Sequence, residues 1–308
     1  MQSISVFEII KVGIGPSSSH TMGPWNAAEM FIDQIKRHRP LSEVKEVFVE
    51  FFGSLAKTGI GHGTDIAGML GLSGENFRTI DTNTIDEKIE RIKTENQILL
   101  AGEVRLPFVY GHHLILNKQK SLDFHPNGMI FRAVFNDGEV LEQDYYSVGG
   151  GFVATQENNS IEEHCIRTLY PCHNGKDIIK YLNKLGLSKL SDLIYLNEES
   201  WRSREETEKE ALSIWKHIKE CIYKGVNKQG ILPGGLKVTR RAHDLNQKLL
   251  GDKVYKNMNE WFDAVISAPK DFTAVNKWIS CFALSVNEEN ASFGRIITAP
   301  TNGASGVI

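Results

Sequence analysis

The pattern of hydrophobic residues changes near the middle of the chain, and this change constrains the fold more than any other feature. Before it, strand-like and helix-like segments alternate. Lys45–Phe52 interleaves Val and Phe with charged residues, as a half-buried strand does, and Thr84–Glu95 repeats isoleucine at helical spacing. We therefore expect an N-terminal α/β-type domain with a mixed sheet over residues 1–155.

Further elements are predicted in this front half. They are two helices, three strands and one hairpin turn: Trp25–Arg37, Thr64–Leu72, His113–Leu116, Met129–Phe135, Val140–Tyr145 and Asn136–Gly138. An Asp-Gly pair between two alternating segments is typical of a tight hairpin, so the last two strands should be neighbours.

The second half reads as helices alone. Gly149–Gly151 and the polar stretch Thr155–Ser160 favour a boundary. Beyond it, five segments have helical spacing: Lys176–Leu185, Leu190–Ser200, Trp201–Lys224, Leu236–Leu249 and Asp271–Val286. The predicted fold class is therefore α+β, with an all-α domain over residues 156–308.

The last segment, Ala299–Ile308, is a Pro/Asn/Gly turn leading into small apolar residues, and such a turn normally opens another helix. The expectation is that the all-α domain is truncated at this point. We expect the front domain to be folded and the helical domain to be less well packed.

Composition limits the class of partner. The 308 residues are 41% hydrophobic and 24% charged with a formal net charge of −3, which gives no field to attract nucleic acid or an anionic membrane. No apolar run approaches the roughly 20 residues that span a bilayer, and the N-terminus has no targeting pattern. Four cysteines without a signal peptide favour the reducing cytoplasm. A small-molecule partner is expected.

Two glycine-bounded loops carry the residues suited to chemistry. The first, which we call the serine loop, precedes a predicted helix and consists of Ser17, Ser18, Ser19, His20 and Thr21. Its hydroxyl groups can cap that helix, and free N–H groups at the helix start can hold a carboxylate. From the residues alone, plain capping and ligand binding remain equally open.

The second loop, Gly59–Asp65, follows a strand and precedes a helix, where α/β proteins place ligands. His62 stands between two glycines, and a histidine titrates near neutral pH, so it can move a proton. The alternative is a loop histidine in an ordinary turn. Near the end of the chain, Asn287–Asn290 followed by Arg295 concentrates amides, acids and a base, which slightly favours a functional role over a solvated helix end.

Seven motifs in order resemble the bacterial iron–sulfur-dependent L-serine dehydratases of the single-chain type. They are SSSHTMGP, GSLAKTGIGHGTD, HPNGM, YYSVGGGF, LPGGLKVTRRA, VNEENASFGR and TAPTNGASGV. Each motif alone is weak, but the ordered set covers nearly the whole chain and is specific. The resemblance implies a β domain over residues 1–155 and an all-helical catalytic domain, and it implies cleavage of L-serine to pyruvate and ammonia without pyridoxal phosphate.

By the same resemblance, His62 is the expected proton-transfer base. The substrate-binding residues that match the family motifs are Ser17, Ser18, Ser19, His20, Thr21, Gly63, Thr64, Asp65, Thr301 and Asn302. Members of the family use one iron of a [4Fe–4S] cluster as a Lewis acid on the substrate hydroxyl.

The family's cluster cysteines lie beyond the last motif, so the resemblance implies a [4Fe–4S] cluster only in a longer protein. Cys165, Cys172, Cys221 and Cys281 lack the grouping of cluster ligands. We expect this chain to bind no metal and to be inactive by itself. A homodimer is the expected assembly.

Two other classes of function stay open. The front domain also resembles the regulatory domain of some serine-pathway dehydrogenases, which would make it a module that binds an amino acid or an anion. Such a module should hold its ligand without the helical half. A dinucleotide oxidoreductase is suggested only by glycine-rich loops, and the strand–GxGxxG–helix order is missing.

Overall fold

The computed structural model describes residues 3–157, 166–234 and 236–308. The strands are β1 (Lys11–Ile14), β2 (Val44–Phe52), β3 (Gln97–Leu100), β4 (Val104–Pro107), β5 (Leu114–Asn117), β6 (Gly128–Phe135), β7 (Val140–Gly149), β8 (Phe152–Ala154) and β9 (Arg295–Thr298). Five of them form one mixed sheet in the order β5–β2–β6–β7–β8, in which only β2 and β5 run parallel.

Helices cover one face of this sheet and make up most of the second half. They are α1 (Val6–Ile9), α2 (Gly23–His38), α3 (Gly53–Lys57), α4 (Gly59–His62), α5 (Thr64–Leu72), α6 (Ile85–Glu95), α7 (Gly175–Leu185), α8 (Leu190–Glu198), α9 (Arg204–Val226), α10 (Ala242–Leu250), α11 (Met258–Ile266) and α12 (Phe272–Asn290). A short π-helix, Ser18–Met22, runs directly into α2. In the described ranges, no helix has the length and apolar character needed to cross a membrane.

The front core forms because α2 and the sheet present matching apolar faces. Phe31 of α2 packs on Phe131 of β6 with ring centroids 5.5 Å apart, and Phe51 of β2 meets Phe131 edge to face. All three rings are fully buried, and each contributes on the order of 2–3 kcal/mol of hydrophobic free energy. The helical half has a second and smaller hydrophobic core around Trp261.

The predicted α+β class is confirmed, and the predicted strand and helix at residues 45–52 and 64–72 are present. The all-α description of the second half is wrong in one element. Strand β9 lies there and pairs antiparallel with β1 from the front half, so a two-stranded sheet joins the two halves. The strand has only four residues, which are too few to show an alternating pattern, and its partner lies far away in sequence.

Several other boundaries differ for local reasons. The predicted helix over 201–224 begins at Arg204, because Ser203 makes a capping box with Glu206. The helix predicted from residue 236 begins only at Ala242. Gly149 ends β7, and Gly150 and Gly151 form the turn to β8, with positive φ at all three glycines, so these glycines lie within the sheet and do not mark the predicted boundary. The boundary at residue 155 stays a prediction, since the structure does not describe residues 158–165.

Candidate functional site

The two glycine-bounded loops lie against each other, and two threonine hydroxyls hold them together. Thr21 donates its hydroxyl hydrogen to the His62 carbonyl oxygen (2.7 Å). Thr64 donates in the opposite direction, to the His20 carbonyl oxygen (2.7 Å). Both threonines are fully buried. These reciprocal hydrogen bonds bring the imidazole rings of His20 and His62 to a centroid distance of 5.0 Å.

The hydrogen bonds of His62 leave one ring nitrogen available. Its Nδ1 lies 3.1 Å from the Thr58 carbonyl oxygen at the start of the same turn. Because a carbonyl only accepts, Nδ1 carries the hydrogen, and in the neutral imidazole Nε2 therefore holds the lone pair. No described residue hydrogen-bonds Nε2, and the side chain is only half-buried. This arrangement suits a general base.

His20 is held at both ring nitrogens. Ser19 Oγ lies 2.9 Å from Nδ1, and Ser54 Oγ lies 2.9 Å from Nε2. Burial is the main reason that the pKa of His20 is lowered, and the neighbouring His62 lowers it further. This shift favours the neutral form of His20 beside His62. Ser54, on α3, is a site residue that sequence reasoning missed, although it lies inside a matching motif.

The start of the serine loop presents hydrogen-bond donors. Ser17 caps the turn by accepting from the His20 N–H, and the Ser17 N–H donates to Thr21 Oγ1. Within the described chain, the N–H groups of Ser18 and Ser19 have no acceptor. They begin a continuous helical segment that runs into α2, so the partial positive charge of its N-terminus lies beside them.

Two asparagines of the helical half bond to the backbone just before the serine loop. Asn302 donates through Nδ2 to the Ile14 carbonyl (2.7 Å), and Asn290 donates to the Pro16 carbonyl (3.2 Å). The side-chain oxygen of each asparagine is buried and has no partner among the described residues. Buried acceptors are normally paired, so these two oxygens are available to a ligand. In the sequence, Asn290 was predicted only as one member of the Asn287–Asn290 stretch and not as a site residue by itself.

Two of the predicted site residues have other surroundings. The Asp65 carboxylate is buried and accepts from the Tyr110 hydroxyl (3.0 Å), with Lys93 at 3.8 Å, so its partners are not the histidines. Burial, then the charge of Asp65, raise the pKa of Tyr110. Thr301 is exposed and precedes a short 3-10 helix at Asn302–Gly306. Gly63 adopts a left-handed φ of 63° between α4 and α5.

The described cysteines do not fit an iron–sulfur cluster. Cys221 and Cys281 lie in the helical core, where burial raises the pKa of both thiols to about 12. Cluster ligands are thiolates, which such surroundings disfavour. Cys172 donates to the Tyr170 carbonyl (3.3 Å), and Cys165 lies outside the described residues. Among the residues described, no group of three His, Cys, Asp or Glu side chains could hold a metal ion.

In the part of the chain that the structure describes, paired histidines, N–H groups without an acceptor and two unpaired amide oxygens thus lie on the serine loop or on residues bonded to it or to the chain just before it. Two family descriptions match the sequence: "Serine dehydratase beta chain" over residues 5–158 and "Serine dehydratase alpha chain" over residues 182–308. The chain belongs to the serine dehydratase family.

Similar proteins include the L-serine dehydratase of Streptomyces coelicolor, with 40% identity over 99% of this chain and 64% of the relative. L-serine dehydratase 2 of Escherichia coli is 39% identical over the same shares, and the L-serine dehydratase of Helicobacter pylori is 34% identical over 100% of this chain and 65% of the relative. The chain thus spans slightly less than two thirds of these relatives.

Proposed function

We propose that this chain carries the substrate-binding and proton-transfer residues of an L-serine dehydratase. The reaction removes the Cα proton and the β-hydroxyl group of L-serine. The resulting aminoacrylate tautomerises to an imine and is hydrolysed to pyruvate and ammonia. The observation that carries the proposal is the histidine pair, held by reciprocal threonine hydrogen bonds, with Nε2 of His62 free to accept a proton.

Each group of the amino acid has a complementary group in the site. The N–H groups of Ser18 and Ser19 suit the substrate carboxylate. The unpaired oxygens of Asn290 and Asn302 suit donors, namely the ammonium or hydroxyl group. His62 accepts the Cα proton, and neutral His20 keeps a second positive charge away from it.

The [4Fe–4S] cluster that the family resemblance implies would not be held by the cysteines described here. We propose that its ligands come from outside these residues, that pyridoxal phosphate is not used, and that the 308-residue chain binds L-serine without turning it over. We assign no residue of this chain to the departure of the hydroxyl group.

Binding and turnover are tested separately. Titration of the ¹⁵N-histidine-labelled chain with L-serine should shift the ring signals of His20 and His62, whereas D-serine should shift them less. Pyruvate formation is expected from an anaerobically reconstituted longer protein of this family that contains this sequence, with a loss of about 10²-fold or more for His62→Gln. Pyruvate formation by the 308-residue chain would overturn the proposal that the cluster ligands come from outside the described residues. Normal turnover by His62→Gln would overturn the choice of base.

An independent amino-acid-binding module is the alternative function. It predicts L-serine binding by residues 1–155 alone, with unchanged affinity. The hydrogen bonds from Asn290 and Asn302 to the Pro16 and Ile14 carbonyls, just before the serine loop, argue for the enzyme, because they tie this loop to the helical half.

A further inference from the structure

One aromatic residue of the helical half belongs to the front core. Phe293 follows α12, yet its ring packs in the hydrophobic cluster of the front sheet, and it is the only described residue after 157 that does so. The ring meets Gly63, the residue after His62. A Cβ atom built on Gly63 would lie 2.0 Å from Cζ of Phe293, so the ring fills the space that any side chain at position 63 would need.

The backbone of Phe293 is unusual for a bulky residue. Its φ is +55°, in the left-handed region. The Gly294 N–H donates back to the Glu289 carbonyl (2.8 Å), which closes the helix in the way that normally places glycine at the left-handed position. Here the glycine comes one residue later. An unfavourable conformation of this kind persists only where the surroundings impose it.

A buried ion pair holds the turn in place. The Arg240 guanidinium donates to the Glu289 carboxylate (3.0 Å) and to Ser292 Oγ (2.7 Å), directly before Phe293. Ser292 in turn donates to the Glu288 carbonyl (2.8 Å). Arg240 and Glu289 are both buried. The acids of the Asn287–Asn290 stretch therefore have a structural role, and their hydrogen bonds hold the turn that carries the Phe293 ring.

We propose that Phe293 is a positioning residue for His62. Its ring supports the Gly63 turn, so the helical half determines how the His62 imidazole is oriented and which nitrogen carries the hydrogen. The inference rests on the proposed role of His62 as a base. Displacing the turn would disturb the hydrogen bond from Nδ1 to the Thr58 carbonyl, which keeps Nε2 free. Phe293 itself contacts no reacting atom.

The test reads the tautomer of His62 directly by long-range ¹H–¹⁵N NMR of the 308-residue chain. Phe293→Tyr adds a hydroxyl group at Cζ, the atom that faces Gly63, and should push the turn away while keeping the ring. We expect the single Nδ1–H tautomer of the wild type to become a mixture. Phe293→Leu has a shorter side chain that cannot contact Gly63 as Cζ does. We expect it to reduce the population of the Nδ1–H tautomer of His62 less than Phe293→Tyr does. Phe282→Leu, in the second core, is the matched control and should leave His62 unchanged.

An unchanged His62 tautomer in the folded Tyr variant would overturn the proposal, as would an equal change in the Phe282→Leu control. If circular dichroism shows that the Tyr variant does not fold, an unchanged His62 tautomer in the Leu variant would overturn the proposal instead. The measurement needs no turnover. If L-serine does not bind, the proposed function is refuted and the effect of Phe293 on His62 still stands. If L-serine binds but the His62 tautomer does not change in the variants, only the positioning role of Phe293 is refuted.

Discussion

The two threonine hydroxyls that join the loops are the most informative positions to perturb. Thr21→Val and Thr64→Val keep the shape of each side chain and remove one hydroxyl group. Thr64→Val deprives the His20 carbonyl of its donor, and Thr21→Val deprives the His62 carbonyl. Thr21 Oγ1 also accepts from the Ser17 N–H, so its loss leaves a second group unpaired.

The magnitudes follow from burial. A polar group that loses its partner in a buried position costs about 1–3 kcal/mol. We therefore expect Thr64→Val to lower the free energy of unfolding by about 1–2 kcal/mol, and Thr21→Val by about 2–3 kcal/mol because two groups are affected. The two bonds fix the same pair of loops. The double variant should therefore cost less than the sum of the single variants, with a coupling of about 0.5 kcal/mol or more.

Urea unfolding followed by circular dichroism measures these differences. Thr94→Val is the matched control, because its hydroxyl donates to a helix carbonyl at the surface, and it should change stability by about 0.5 kcal/mol or less. The reasoning would be refuted if Thr21→Val cost no more than Thr94→Val. If the loss of unfolding free energy in the double variant equals the sum of the losses in the single variants, the two hydrogen bonds stabilise the loops independently.

Two further predictions concern pH and the contact between the halves. The pKa of His20 in the folded chain is below the usual value of about 6.5. At a pH between these two pKa values, His20 gains a proton when the chain unfolds. The stability therefore falls as the pH drops from about 6.5 through the folded-state pKa. His20→Gln should therefore lose less stability than wild type between about pH 7.5 and 5.5 in urea titrations, and an equal loss would contradict this. Gly15→Ala would place a Cβ 1.8 Å from the Asn290 carbonyl oxygen and should cost about 3 kcal/mol or more, whereas Gly175→Ala meets nothing within 4 Å and should be neutral or slightly stabilising by thermal unfolding.

Local signals in the sequence predicted four of the eight strands that the structure describes in the front half and its three longest helices, but not β1, β3, β4 or β8. The alternation in residues 45–52 and the Asp-Gly hairpin depend on neighbours within a few positions, and both elements formed as expected. Strand β9 could not be predicted in this way, since its four residues are too few for a pattern and its partner β1 is nearly 300 residues away. Helix α11 lies between two irregular segments and was also missed.

The candidate site shows the same division between local and distant information. Glycines around His62 indicated an unobstructed side chain, but nothing in the sequence indicated that Thr21 and Thr64 bond across to the opposite loops. Asp65 looked equivalent to its neighbours and instead pairs with Tyr110, because a residue one helical step further along α5 faces a different direction. Such cross-loop bonds depend on tertiary packing, which spacing does not encode.

The path of the chain around the serine loop argues for a site that needs both halves. Strand β1 leads into this loop while it pairs with β9 from the helical half, and the Ile14 and Pro16 carbonyls each accept from an asparagine of that half. A module that works alone would anchor its ligand loop within its own domain. Here the anchors of the loop and the ring that supports Gly63 come from beyond residue 286, which favours a shared active site over an independent binding domain.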